Sequence, residues 1–149
     1  MYLIADTGEA IFVHMDKGFS KEPMVSYLEF WGVMQAIFIQ QDAILEIYKA
    51  VIGNTPDIRS ESPWGKLRQK RNLCAGHPVN KSDRKSGIKR TFMGRSFGDY
   101  ESIRYELWDA NEKKMSHETF NLRQMINDYD VQASDILNQL LSTMKANWP

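Results

Sequence analysis

Residues 24 to 52 constrain the fold more than any other stretch, because Tyr27, Trp31, Met34, Phe38, Leu45, Tyr48 and Ile52 recur at helical spacing along one broad stripe. Gly53-Asn54-Thr55-Pro56 ends the run with a left-handed exit and a residue that cannot continue a helix. The spacing predicts one unbroken helix of about 43 Å, at ~1.5 Å per residue. Val33, Ile37, Ile39 and Ile44 place apolar side chains on its other faces, so it must be covered on more than one side, by the rest of the chain or by a second copy. On the second alternative, a charge at Ile37 would split a dimer. Gln35, Gln40, Gln41 and Asp42 break the apolar surround.

A second long helix is marked near the end of the sequence. Asn121 and Gln124 read as a capping-box variant, and Phe120 and Met125 occupy hydrophobic-staple positions. Leu122, Met125, Tyr129, Ile136, Leu140, Met144 and Trp148 carry the stripe, so this helix should run from about 122 to 147. Before it the period changes. Ile88 to Phe97 is rich in Thr, Phe and Arg. Ile103, Tyr105 and Leu107 then alternate with Arg104, Glu106 and Trp108 before a turn at 109 to 113, and 115 to 120 reads as a returning strand. The expected fold class is mainly α, a helical bundle with a small antiparallel β-hairpin or meander at about 88–120. The first 20 residues allow either a hairpin turning at Asp6-Thr7-Gly8-Glu9 or a helix with an awkward glycine.

A length of 149 residues, 42% hydrophobic and 11% aromatic, suits one domain with one packed core. The apolar run near 30 to 39 is shorter than the ~20 residues needed to cross a bilayer, so no membrane association is expected. Asp6 and Glu9 precede any Lys or Arg, the wrong charge order for a secretory signal, which points to the cytoplasm. Cys74 is the single cysteine, so an intrachain disulfide is excluded. A metal site would have to combine Cys74 with the scattered His14, His77 and His117, and Cys74-x-x-His77 lacks a second ligand pair. No metal and no cofactor is predicted.

The stretch Lys70-Arg71-Asn72-Leu73-Cys74-Ala75-Gly76-His77-Pro78 carries the chemistry. Ser62 is a good N-cap and Pro63 fits the first helical position, while Gly76 and Pro78 read as an exit, so a short helix should run from about 63 to 75. Trp64, Leu67, Arg71 and Cys74 share one face of it. An arginine on an apolar face needs a carboxylate, an interface or a bound anion, because a lone buried charge costs several kcal/mol. Asp42 or Glu46 could supply the counter-charge, with His77 merely capping the helix. Alternatively, the cation and the imidazole beside it form a phosphate-handling pair. Around them, residues 66 to 95 hold ten cations and one anion in a chain of zero net charge. That asymmetry reads either as a basic surface for an anionic polymer or as a solvated linker at 81 to 87.

Arg71-Asn72, four intervening residues and His77 resemble the Arg-polar-x(4–6)-His motif of HEPN domains, small α-helical bacterial proteins of which many are metal-independent endoribonucleases. The long helix preceding the motif helix resembles the family's first long helix, and the likeness extends over residues 24 to 80 and the final helix. Strand-like residues 88 to 120 depart from the family's simplest pattern. The resemblance implies a single HEPN-like domain over 1–149 and RNA cleavage of the toxin or phage-defence type, at a groove between two copies. His77 would move the proton of the attacking 2′-hydroxyl or of the leaving 5′-oxygen, Arg71 would neutralise the phosphorane, and Asn72 would orient either. Lys70, Lys81, Arg84, Lys85, Lys89 and Arg90 would bind flanking RNA. The partners so implied are RNA, a second copy and an antitoxin protein. The alternatives are a non-catalytic helical dimerisation module and an RNA binder that does not cut.

Overall fold

The computed structural model describes residues 2–76, 81–83 and 87–148, with 81–83 and 87 described by backbone alone. The order of elements is α1 (Tyr2–Lys17), α2 (Pro23–Ile52), α3 (Pro63–Arg71), a π-helical turn (Asn72–Gly76), β1 (Lys81–Asp83), β2 (Gly87–Phe92), β3 (Gly98–Asp99), β4 (Ser102–Asp109), β5 (Lys114–Phe120) and α4 (Leu122–Asn147). None of the helices is long and apolar enough to cross a membrane, among the described residues.

Local chemistry sets the helix ends. The Glu22 carboxylate accepts from the Met24 and Val25 amides at the start of α2, and Gly53 closes it at φ 87°. Ser62 caps α3 by accepting from the Gly65 amide, with Pro63 in the first turn. Asn121 Oδ1 accepts from the Gln124 amide at 2.8 Å. The Gln124 side chain turns to Asp128 instead of reaching back, so the cap of α4 is one-sided. Residues 2 to 17 are helical rather than a hairpin. Gly8 lies at the crossing with α2, where a Cβ would meet Gln40 Nε2 at 2.9 Å.

Beyond its first turns, the long helix α2 is largely covered by its own chain. Phe30, Val33, Met34, Ile37, Gln41, Ile44 and Tyr48 are buried, whereas Trp31 is 42% exposed. The buried stripe is thus offset from the one the spacing suggested, and Ile37, read as an outer position, is fully enclosed. The polar interruptions each meet a polar group elsewhere. Gln40 donates to the Ile4 carbonyl and accepts from the Tyr129 hydroxyl. Gln41 donates to the Trp64 carbonyl, Asp42 accepts from Arg68, and Gln35 accepts from Arg71.

The expectation of a mainly α HEPN-like bundle is overturned by the sheet, which makes the fold mixed α/β. Five strands form one antiparallel sheet in which β1 pairs with β2, β2 and β3 pair with successive stretches of one edge of β4, and β5 lines the other edge of β4. It is no appendage. Phe97, Tyr100, Ile103, Tyr105 and Phe120 join Phe30, Met34, Trp64 and Leu67 in a single core. The alternation in β4 sends Ile103 and Tyr105 inward and leaves Arg104 and Glu106 exposed, so one face of the sheet must be roofed by helices. Further pairing begins at β1, inside what read as a linker, and β3 forms because Gly98, at φ 111°, lets the backbone approach the Ser102 carbonyl. Tyr100 ties the sheet to α1. Its hydroxyl lies 2.7 Å from His14 Nδ1, and Phe19 stacks on its ring at 4.5 Å.

Candidate functional site

The motif helix is held at its first turn by distant side chains. Gln132 of α4 accepts from the Trp64 amide at 2.9 Å, and Gln41 of α2 donates to the Trp64 carbonyl at 3.1 Å. Trp64 and Leu67 are buried, which turns the remaining stripe position, Arg71, toward α2. There its guanidinium carbon lies 3.8 Å from the centre of the Phe38 ring, and Arg68 approaches the same ring at 4.4 Å.

The two arginines differ in their partners. Arg68 Nη2 is 2.8 Å from Asp42 Oδ1, a charge pair. Arg71 receives only neutral acceptors. Its Nη2 donates to Gln35 Oε1 at 2.8 Å and its Nη1 to Asn72 Oδ1 at 3.1 Å. Among the described residues no carboxylate pairs with Arg71, and its buried Nε–H has no acceptor. Burial, then the neighbouring charge of Arg68, lowers its pKa below the usual guanidinium range, with Asp42 opposing. The structure therefore gives Asp42 to Arg68 rather than to Arg71. Among the described residues, Arg71 is thus a half-buried cation held by neutral acceptors, a state suited to an anion.

Helical geometry changes at this point. After Arg71 the chain widens into the π-helical turn Asn72–Gly76, a form concentrated at functional sites, and Cys74 returns to the core. Burial pushes the Cys74 thiol up to about 12, so it stays protonated at neutral pH and serves as a small core side chain. Gly76 has no left-handed backbone and serves instead as clearance, since a Cβ there would meet Arg71 Nη1 at 2.8 Å. The colliding atom ends a long side chain and can swing away. Gly76→Ala should therefore change thermal stability little while displacing the guanidinium and weakening anion binding about tenfold. Titration calorimetry with a short oligonucleotide, beside a melting curve, checks both halves. An unchanged affinity would mean that the guanidinium position is not critical.

The other residues singled out by sequence scatter. Lys70 donates to the Tyr105 hydroxyl at 2.8 Å and lies over the Tyr105 and Phe120 rings, fastening α3 to the sheet. Lys89 is 3.8 Å from Asp109, and Arg90 is exposed on β2. Lys81 belongs to β1. His77, Arg84, Lys85 and the Lys81 side chain lie outside the described residues. Arg71 and Asn72 are brought together, and β2 packs against the π-helical turn that follows them. Among the described residues no group of three His, Cys, Asp or Glu side chains is placed to hold a metal ion. A groove of about 380 Å³ between residues 55–60 and α3 reaches Arg68 and Asn72.

Sequence reasoning missed Phe38 as the platform for both guanidiniums and Gln35 as the acceptor that orients Arg71. The signal was present: Gln35 interrupts an apolar run three residues before Phe38, on the same side of α2. No family model matches the chain, and comparison with curated proteins and with solved structures gave no match, so the HEPN resemblance rests on the motif and the order of helices around it.

Proposed function

We propose that this protein is a metal-independent endoribonuclease working as a homodimer, with Arg71 on the scissile phosphate and His77 moving protons. The observation that supports it most is the state of Arg71: a guanidinium stacked on Phe38, steered by Gln35 and Asn72, and left without a carboxylate among the described residues. Such a cation is preorganised for charge that develops on a phosphoryl oxygen, and preorganised donors of this kind are worth ~10²–10³ in rate. His77 follows in the chain directly after Gly76. In the reaction the 2′-oxygen attacks phosphorus as it loses its proton to an imidazole. The 5′-oxygen leaves with a proton from an imidazolium, giving a 2′,3′-cyclic phosphate. One imidazole cannot hold both states at once, so two copies of His77 serve as base and acid.

The second copy fits an apolar line on α2. Met24, Leu28 and Trp31 are 52%, 69% and 42% exposed, and their spacing of four and three residues runs on to Gln35, the partner of Arg71. A dimer closed on this line sets the two Arg71 sites near each other. Incubation of purified protein with single-stranded and structured RNA in EDTA tests the reading. Cyclic-phosphate ends that disappear in His77→Ala, at an unchanged melting temperature, are the expected result. Intact RNA, or equal cleavage by the variant, would remove the nuclease reading and leave a binding protein.

A further inference from the structure

The face of the sheet turned away from the helices carries a second set of residues that the Arg71 site does not use. Cross-strand register lines them up. Phe92 pairs with Glu106, which pairs with His117 on its other side; Arg90 pairs with Trp108, which pairs with Met115; Arg104 pairs with Thr119. Phe92 is 49% exposed and Met115 42%, while Trp108 is half-buried. The three are neighbours in the register and form one contiguous apolar patch on the open side of the sheet, the arrangement that marks a binding surface where a lone exposed ring does not. Beside Phe92 the face dips into a groove of about 410 Å³, bounded by Gly94, Ser96, Arg104, Glu106 and His117.

We propose that this open sheet face is a binding platform for single-stranded RNA, with Phe92 and Trp108 each stacking one base. The ligand class rests on the nuclease reading above; the geometry of the platform does not. Phe92 and Trp108 are diagonal neighbours across β2 and β4, a relation that sets positions roughly 7–8 Å apart. A single base cannot cover both, whereas two successive unstacked bases can take one each. Arg90 and Arg104 flank the rings and are exposed, placed for backbone phosphates. Glu106 is 3.3 Å from His117 and repels phosphate, so it marks where a base edge sits, offering an acceptor to base N–H groups. A duplex hides the faces of its bases and cannot use stacked rings, which makes the platform selective for single strands.

The test is fluorescence anisotropy of a labelled single-stranded octanucleotide and of a hairpin duplex on the full-length protein in EDTA, with steady-state cleavage measured in parallel. Phe92→Ala and Trp108→Ala should each weaken single-strand binding roughly tenfold, the scale of one lost base–aromatic stack. Phe92→Tyr should restore it, and duplex affinity should move by less than about twofold. In cleavage, Phe92→Ala should raise KM and spare kcat. Trp108 is partly packed, so the exposed Phe92 pair of variants decides the matter if Trp108→Ala unfolds. Phe92-dependent binding without any cleavage would support the platform and sink the nuclease reading. Cleavage whose KM ignores Phe92→Ala, or a wild-type preference for duplex, would overturn the platform.

Discussion

Arg71→Ala is expected to reduce RNA cleavage by roughly two to three orders of magnitude while lowering unfolding free energy by only about 1–2 kcal/mol. The two effects separate because of where the guanidinium sits. Had Arg71 been one half of a buried ion pair, its removal would strand a carboxylate at a cost of ~3–5 kcal/mol. Asp42 is already bound to Arg68 at 2.8 Å, and what Arg71→Ala leaves behind is two amide oxygens and a Phe38 ring still covered by Arg68. Gln35 is exposed and can turn to water. Cleavage assays and chemical denaturation on the same preparation measure both quantities. A loss of several kcal/mol would mean that Arg71 serves the fold first, and full activity would remove it from the chemistry. Arg71→Lys, which keeps the charge and loses the fork, should remain strongly impaired.

Ile37→Glu is expected to prevent folding rather than to split a dimer. Ile37 is fully enclosed in the core, and an unpaired carboxylate there costs several kcal/mol after relaxation, comparable to a domain's whole stability of ~5–15 kcal/mol. The substitution that probes assembly is Leu28→Glu. Leu28 is 69% exposed, so the monomer should tolerate the charge with a stability change within about 0.5 kcal/mol. In a dimer closed along Met24, Leu28 and Trp31, the same charge is buried twice. Sedimentation at micromolar concentration should then show dissociation, with activity falling alongside while circular dichroism stays unchanged. A Leu28→Glu protein that remains dimeric would place the contact elsewhere, and one that is monomeric yet cleaves would uncouple assembly from catalysis.

Three of the four helices were legible in the sequence because what starts and stops them is local, whereas the sequence of α1 allows either a helix or a hairpin. Ser62-Pro63, Gly53 and Asn121 act within one turn of themselves, and each does in the structure what its chemistry indicates. The sheet was legible in β2, where 88 to 97 is rich in Thr, Phe and Arg, and in β4 and β5, where Ile103, Tyr105 and Leu107 alternate cleanly. β1 and β3 are too short and too polar to carry a period, and they exist by virtue of their partners, which lie elsewhere in the chain. The same limit applied to the site. The stripe of Trp64 and Leu67 correctly turned Arg71 toward α2, but whether Asp42 meets Arg68 or Arg71 depends on how two helices slide past each other, which neither sequence segment encodes alone. His14 shows the converse: a residue that read as scattered is pinned to Tyr100, 86 positions away, by a single hydrogen bond.

The π-helical turn gives the chain an unusual sensitivity to length. A π-turn closes its ring over one more residue than an α-turn, so Asn72–Gly76 is in effect an α-helical end with a residue inserted. Deleting one of these residues would let the backbone relax into an ordinary helix without a steric objection. It would also rotate everything that follows by about a hundred degrees, since an α-helix turns once in ~3.6 residues. Cys74 would leave the core, and the small residue beneath the Arg71 guanidinium would be replaced by whatever came next. Removing one residue between Arg71 and Gly76 should therefore cost more than a conservative apolar substitution at Leu73 or Ala75, which pack at the edge of the core. Spacing, more than composition, is what the geometry at this turn depends on.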